Sequence, residues 1–277
     1  MSRQRVALSV VIPNHNYAAF LPDILGDLSR QHGGLSEVEI IVADDASSDC
    51  SAQLAATLLK SMDAAVAEVV CLPRKGRPGL VRNAGLARAR GDLLLCVDAD
   101  DRLEPTFLSA LRNALEGNPE ADLAYCDYIH EEQDERCTVR FPEYDENLLR
   151  MQNILPPAAL MRRSLWERLS GYRADTAYED WELWVQCAEA GFRPVRVAEP
   201  LLIHRVHGQN YSNRAVLDDN AAKAAIVLAH PQFFPMATRT WARGVNNGVP
   251  WALAAPRGII PDAELVDRLR KAARSTR

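Results

Sequence analysis

The stretch LSVVIPNHNYAAFLPDILGDLSRQHGGLSEVEIIVADD, residues 8–45, decides the fold. It opens and closes with LSVVIP (8–13) and VEIIVADD (38–45), short runs that are apolar and β-branched almost throughout. Such runs fit strands covered on both faces. Between them, AAFLPDILGDLSRQ sets Phe20, Leu21, Ile24, Leu25 and Leu28 along one helical face. Strand, helix, strand is the unit from which parallel sheets grow. The alternation then repeats: helix CSAQLAATLLKSM, strand AEVVCLP, helix PGLVRNAGLARARG, strand DLLLCV, helix PTFLSALRNALEG, strand ADLAYCDY. The expected architecture is α/β, a mainly parallel sheet with helices on both faces.

After residue 128 the rhythm changes. EEQDERCTVRFPEYDE is polar and fits either a hairpin or a mobile loop. A short extended segment and a short helix are expected in NILPPAALMRRSLWERLSGY, a helix closed by Gly191 in EDWELWVQCAEAG, and a strand in PLLIHRV. From about residue 214 the pattern is helical. The expected division is a domain over 1–210, with halves 1–127 and 128–210, and a helical C-terminal extension over 211–277.

With 277 residues, 48% of them hydrophobic and 25% charged, the chain can bury a core without disulfides. A formal net charge of −5 argues against a nucleic-acid coat. The six cysteines are scattered with no CxxC pair, which suits reduced, structural thiols. The first residues are not expected to act as a signal peptide, since their apolar run is short and broken by Pro13, and no stretch approaches the ~18 apolar residues of a membrane span. A cytoplasmic protein is expected. Arg268, Arg270, Lys271, Arg274 and Arg277 fit a solvated terminal helix or a peripheral contact with the anionic inner face of a membrane.

Ligands of open parallel sheets bind outside the carboxyl ends of the strands. Those ends carry Asn14-His15-Asn16-Tyr17, then Asp44-Asp45, then Arg74, Lys75 and Arg77, and then Asp98-Ala99-Asp100-Asp101. Asp44 and Asp45 also suit a helix cap, and the basic cluster also suits a solvated loop. Three carboxylates within four residues behind a buried strand exceed what capping needs. Mg2+ or Mn2+ would explain them, because such hard cations commonly bind one or two carboxylates together with substrate phosphates. There is no GxxxxGK[ST], no GxGxxG after the first strand and no GxSxG.

SVVIPNHNYAAFL, IIVADDASSD, GLVRNAGLARARGDLLLCVDADDRLEP and YEDWELWVQCAEAGF, in that order, resemble the family-2 glycosyltransferases over roughly residues 7 to 210. The resemblance implies a GT-A, Rossmann-like fold and metal-dependent, inverting, non-processive transfer of sugar from a nucleotide-diphosphate donor, most simply a UDP-sugar. The acceptor hydroxyl would belong to a glycan or a lipid-linked molecule, in cell-surface polysaccharide or glycoconjugate biosynthesis. It places Pro13, Asn14, Asn16 and Tyr17 beside base and ribose, Asp45 on the base, and Arg82 and Asn83 near the nucleotide or donor sugar. Asp98, Ala99 and Asp100 form the Asp-x-Asp, with Asp100 the direct metal ligand, Asp98 toward the sugar nucleotide and metal, and Asp101 an outer acceptor. His207 would touch metal or diphosphate. Glu179-Asp180 is the acidic pair carrying the catalytic base, assigned to Asp180, and Trp181 and Trp184 could floor the acceptor site or pack the core. SGYRADTAYED departs from the family's usual Gly-Gly-Phe-Asp turn, and the QxxRW motif of processive synthases is absent. Two other functions stay open: a sugar-1-phosphate nucleotidyltransferase, which would carry a Gly-rich basic loop after the first strand, and a catalytically idle nucleotide-sugar-binding protein.

Overall fold

The computed structural model describes residues 5–133, 135–208 and 219–275. The chain forms two compact units, 1–141 with 156–172 and 192–207, and 142–155 with 173–191 and 208–277. The described chain from Asp219 onward thus joins 142–155 and 173–191 in one unit, a division drawn differently from a single cut at residue 210.

The first unit holds the whole sheet. β1 (Leu8–Asn14), β2 (Val38–Asp44), β3 (Val66–Cys71) and β4 (Leu93–Cys96) pair in parallel in the order β3-β2-β1-β4. The expected α/β alternation is therefore present, with α1 (Leu21–Ser29), α2 (Ser51–Leu59) and α3 (Pro78–Leu86) as the crossovers. Beyond β4 the sheet becomes mixed, continuing through β8 (Leu160–Arg162), β6 (Leu123–Glu132), β9 (Pro194–Val206) and β5 (Arg102–Leu103). β8 runs antiparallel to both β4 and β6, whereas β9 runs parallel to β6. β7 (Glu135–Val139) folds back on β6, so the polar stretch after residue 128 is a hairpin.

The two faces of β1 show why the helices lie where they do. Leu8, Val10 and Ile12 join the main core with Leu21, Ile24, Leu25 and Leu28 of α1, Ala55 and Leu59 of α2, and Phe107, Leu108, Leu111 and Leu115 of α4 (Phe107–Gly117). Val11 points the other way, toward α3. There a Cβ built on Gly85 would lie 2.4 Å from Val11 Cγ1 and 3.5 Å from Ala43 Cβ. Glycine normally costs a helix interior about 1 kcal/mol relative to alanine. Here the missing side chain lets the helix backbone approach the strands.

The same face buries a polar brace near the start of β1. Ser9 Oγ donates to Glu39 Oε2 (2.5 Å), and the Arg90 backbone N and Nε donate to Glu39 at 2.8 and 2.6 Å. Glu39 is fully enclosed. Its charge is met by one cation and two further donors, the condition under which a buried carboxylate is tolerated.

The second unit is helical among its described residues: α5 (Glu146–Leu149), α7 (Glu179–Glu189), α8 (Asp219–Ala229), α9 (Met236–Asn246), α10 (Pro250–Leu253) and α11 (Ala263–Ser275). α6 (Arg163–Trp166) belongs to the first unit. His230, just past α8, ties that helix to α7: Nε2 lies 2.8 Å from Glu182 and Nδ1 2.7 Å from Glu189. Only an imidazolium donates from both nitrogens. Burial works against the charged ring, but the bonds to Glu182 and Glu189 prevail and raise its pKa above the ordinary histidine value. Among the described residues no helix is long and apolar enough to cross a membrane. Arg277 lies outside the described residues; Arg270 of α11 stacks its guanidinium 4.7 Å from the Trp251 ring centroid, and Lys271 pairs with Asp267.

Candidate active site

Just past the carboxyl ends of β1 and β2, two loops are knitted together. Asn14 Nδ2 donates to Asp44 Oδ1 (2.7 Å) and to Ser47 Oγ (3.2 Å), and Ser47 Oγ donates to Asp44 at 2.6 Å. Asn16, at φ 58°, accepts on Oδ1 from Ser48 N (2.7 Å) and donates its own backbone N–H to Ser47 Oγ. Asparagine enters the left-handed region at low cost because its side chain bonds locally, as here. Asn14 is buried, and its Oδ1 has no hydrogen-bond partner, so an acceptor waits at this edge for a donor.

Asp45, nearly inaccessible, holds the loop after β3. Its carboxylate receives Arg74 NH1 (2.6 Å), Gly76 N (2.9 Å) and the backbone N–H of Lys75. The three strand-end loops thus form one connected wall. A base bonding Asp45 must share it with Arg74 and the 75–76 backbone, donors that did not figure in the sequence reading of this acid.

The acids after β4 sit at the end of a strand buried on both faces. Asp98 Oδ1 pairs with Arg82 NH2 at 2.6 Å; Arg82 is itself buried and passes 5.4 Å from the Tyr172 ring centroid. Ala99 is fully buried and so contributes packing. Asp100 is buried and meets His207 Nε2 at 3.0 Å and the Tyr17 hydroxyl. Burial, then the charge of Asp98, pushes the Asp100 carboxyl above its ordinary pKa, with His207 opposing. Tyr17 is raised as well, by burial and by the Asp100 and Asp98 charges. Asp101 is enclosed; Oδ1 lies 3.0 Å from His204 Nδ1, and Oδ2 has no hydrogen-bond partner. Burial opposes charge on His204, but the Asp101 bond and the acids' combined field lift it to about 9.

His207, Phe20 and Tyr17 close one side, with Phe20 stacked on His207 at 4.6 Å between centroids and Tyr17 edge-on to both. Arg205 donates from Nε to the Asp100 carbonyl (2.5 Å) and from NH1 to Asp23 (2.6 Å). The sequence offered no sign of the Arg205 link. The alternation along β9 offers one in retrospect: His204 and Arg205 leave the strand on opposite sides, one to each neighbour in the acidic run.

Asn83 takes another role. Its Nδ2 donates to the Tyr172 carbonyl (2.8 Å) and its Oδ1 accepts from Tyr172 N (2.9 Å), so both amide atoms hold the chain at residue 172. The same amide is the one that the family resemblance sets near the nucleotide or donor sugar. Gly171, at φ +79°, lies against this clamp, with a built Cβ 3.0 Å from Asn83 Oδ1.

In the second unit Glu179 is buried at the first turn of α7, and Asp180 accepts from Asn153 Nδ2 at 2.8 Å. Three acids in this turn lie at the positive end of the helix dipole. Trp181 and Trp184 are 2% and 1% exposed, and Trp181 Nε1 donates to the Leu149 carbonyl at 2.8 Å. Neither offers a face to an acceptor; both pack the interior, which corrects the acceptor-floor expectation. Their i, i+3 spacing marks a shared side of the helix and says nothing about whether that side is open.

A family model, Glycosyl transferase family 2, matches residues 9–170. This chain belongs to glycosyltransferase family 2. Among curated relatives, poly(ribitol-phosphate) beta-N-acetylglucosaminyltransferase TarS of Staphylococcus aureus (strain Mu50) is 31% identical over 100 residues, covering 36% of this chain and 17% of TarS. O-antigen biosynthesis protein RfbC of Myxococcus xanthus is 27% identical over 228 residues, 80% of this chain and 18% of RfbC. The chain therefore spans less than a fifth of either relative. Among solved structures, S. aureus TarS 1-349 in complex with UDP-GlcNAc superposes with a TM-score of 0.64 at 17% identity, covering 80% of this chain and 67% of that one. Mannosyltransferase PcManGT from Pyrobaculum calidifontis, in complex with GDP-Man and Mn2+, gives 0.64 at 19% identity over 99% and 76% of the two chains. These likenesses establish the GT-A fold for the family-2 chain.

Proposed function

We propose that the protein is an inverting, metal-dependent, non-processive glycosyltransferase of the hexosyltransferase type. It moves a sugar from a nucleoside-diphosphate donor, taken as UDP-linked, to a hydroxyl of a glycan or lipid-linked acceptor in cell-surface glycoconjugate synthesis. The observation that carries this is the wall of strand-end loops bonded into one network beside Asp98 and Asp100. Family membership, and relatives whose names and complexes involve UDP-GlcNAc and GDP-Man, support the donor class.

The residues fit a divalent cation. Two acids sit side by side at the strand end, Asp100 strained toward its neutral form by burial and Asp98, and a third keeps an unbonded buried oxygen. Among the described residues no group of three or more His, Cys, Asp or Glu is placed to hold a metal ion alone, so a bound ion would have to complete its ligands from substrate phosphate. Asp100 and Asp98 would hold it, with His207 beside them, and when bound it supplies charge neutralisation on the departing diphosphate. Arg82 positions Asp98 through their ion pair. Asn14, Asn16, Tyr17 and Asp45 border base and ribose. Asp180 takes the proton of the acceptor hydroxyl as that oxygen attacks the anomeric carbon opposite the leaving group. The protein is taken to act in the cytoplasm, on its own or against the inner membrane face.

Nucleoside-diphosphate release from UDP- and GDP-sugars, with and without Mn2+ and across soluble and lipid-linked acceptors, tests the activity. Asp180→Asn is expected to keep donor binding and lose at least about 100-fold in transfer. Near wild-type transfer by that variant would remove Asp180 from the base role. Metal-dependent binding with no turnover on any acceptor would instead mark an idle binding protein.

A further inference from the structure

The segment leading to Asn153 is fixed at several points. Leu149 is fully buried and its carbonyl accepts from Trp181 Nε1 at 2.8 Å, one residue along α7 from Asp180. The Met151 carbonyl accepts from Ile260 N at 2.8 Å. Ile154 and Leu155 are 2% and 1% exposed. Between these anchors Asn153 alone stands exposed, and its Nδ2 lies 2.8 Å from Asp180 Oδ2. Its Oδ1 accepts from Leu155 N at 3.4 Å, which sets the amide with nitrogen, and not oxygen, toward the carboxylate.

We propose that Asn153 is the positioning residue for Asp180, an amide held by the 149–155 segment so that it fixes the plane of the base carboxylate and favours its ionised form. This rests on Asp180 being the base. A short carboxylate at a helix start has several rotamers, and a base must present its lone pair to the acceptor hydroxyl within hydrogen-bond reach. A donor on one oxygen removes that freedom, and misplacement by about 1 Å can cost about 100-fold in rate. Glu179, the preceding residue of the helix, and the Tyr178 phenol, which also feels Asp219 and Arg257, are the titratable groups beside Asp180, and Asn153 brings a neutral donor to its carboxylate.

Two measurements on the full chain test the assignment, the first with diamagnetic Mg2+ and the second with Mn2+. In the first, the Asp180 carboxyl is followed by 13C NMR across pH, its signal assigned by its absence in Asp180→Asn. Asn153→Ala is expected to raise its midpoint by about 0.5 units or more, and Asn153→Asp by more still, since a donor gives way to a like charge. In the second, nucleoside-diphosphate release is measured from UDP-GlcNAc and GDP-mannose, and UDP and GDP affinity by calorimetry. Asn153→Ala should lower kcat about 10-fold or more with donor KM and nucleotide affinity held within twofold. Asn153→Asp should fall further although it is closer in shape, an order that a purely structural role would reverse. Adding Asn153→Ala to Asp180→Asn should lower the rate no further. An unmoved Asp180 titration in Asn153→Ala, or unchanged kcat there with Asp180→Asn inactive, overturns the proposal and spares the base. An active Asp180→Asn overturns the base itself.

Discussion

Two ends of one sheet bury carboxylates in opposite ways. Near the start of β1 and β2, Glu39 is enclosed and fully met by Ser9, the Arg90 backbone and the Arg90 guanidinium. At the far end, past β4, Asp100 and Asp101 are equally hidden but crowd each other and Asp98, and one oxygen of Asp101 has no bond. The first arrangement satisfies the charge it buries. The second sets like charges close together and leaves one buried oxygen without a bond, an arrangement that a cation would relieve.

The contrast breaks if substitutions at the two ends act alike. The largest effect is expected at Asp100: Asp100→Asn should lose about 100- to 1000-fold in transfer and abolish Mn2+-dependent nucleotide binding. Its melting temperature should hold or rise, because the variant removes a buried like charge. Glu39→Gln should do the reverse, leaving transfer per folded molecule intact while costing about 2–3 kcal/mol in denaturant unfolding, since buried donors lose their anionic acceptor. Destabilisation by Asp100→Asn comparable to that of Glu39→Gln would erase the distinction.

The smallest effect sharpens the contrast with a third case. Glu182, also fully buried, is neutralised by His230, a cation that titrates, where Glu39 has a guanidinium that does not. Arg173 Nε, 3.8 Å away, and Gln186 are the other groups facing Glu182, and Glu189 faces the second ring nitrogen. With its folded pKa above the unfolded value of about 6.5, His230 stabilises fully below that value and progressively less as pH climbs through the folded pKa. Urea unfolding between pH 6 and 9 should lose less stability in His230→Gln than in the wild type, the remaining decline belonging to His204. An identical slope in the variant would place the titrating group elsewhere.

These comparisons also mark what the sequence could disclose. The β3-β2-β1-β4 half was legible because a strand buried on both faces is apolar residue after residue, and because crossover helices carry a single stripe. The gathering of Asp98, Asp100 and Asp101 at one strand end was legible because all three follow directly on such a strand. The antiparallel insertion of β8, only Leu160–Arg162, was not, since three residues carry no period. Trp181 and Trp184 misled because nearly every residue from Trp181 to Ala188 is buried, so α7 has no open face for a pattern to mark. The Asn83 clamp and the Asn153 contact were missed for a shared reason: an amide's partner is set by which backbone or carboxylate the fold delivers, 89 residues away for one and 27 for the other.

The contact of Gly85 with Val11 bears on how such an enzyme could diversify. With no room for a methyl group between helix and strand, α3 cannot slide or tilt without rebuilding the sheet beneath it. Arg82, one turn earlier on that helix, is therefore delivered to Asp98 at a fixed height. A lineage changing its donor sugar could not do so by shifting this helix. New specificity would have to be written in exposed loop side chains outside the Asn14–Asp44–Ser47 and Asp45–Arg74 bonds that hold the strand ends together.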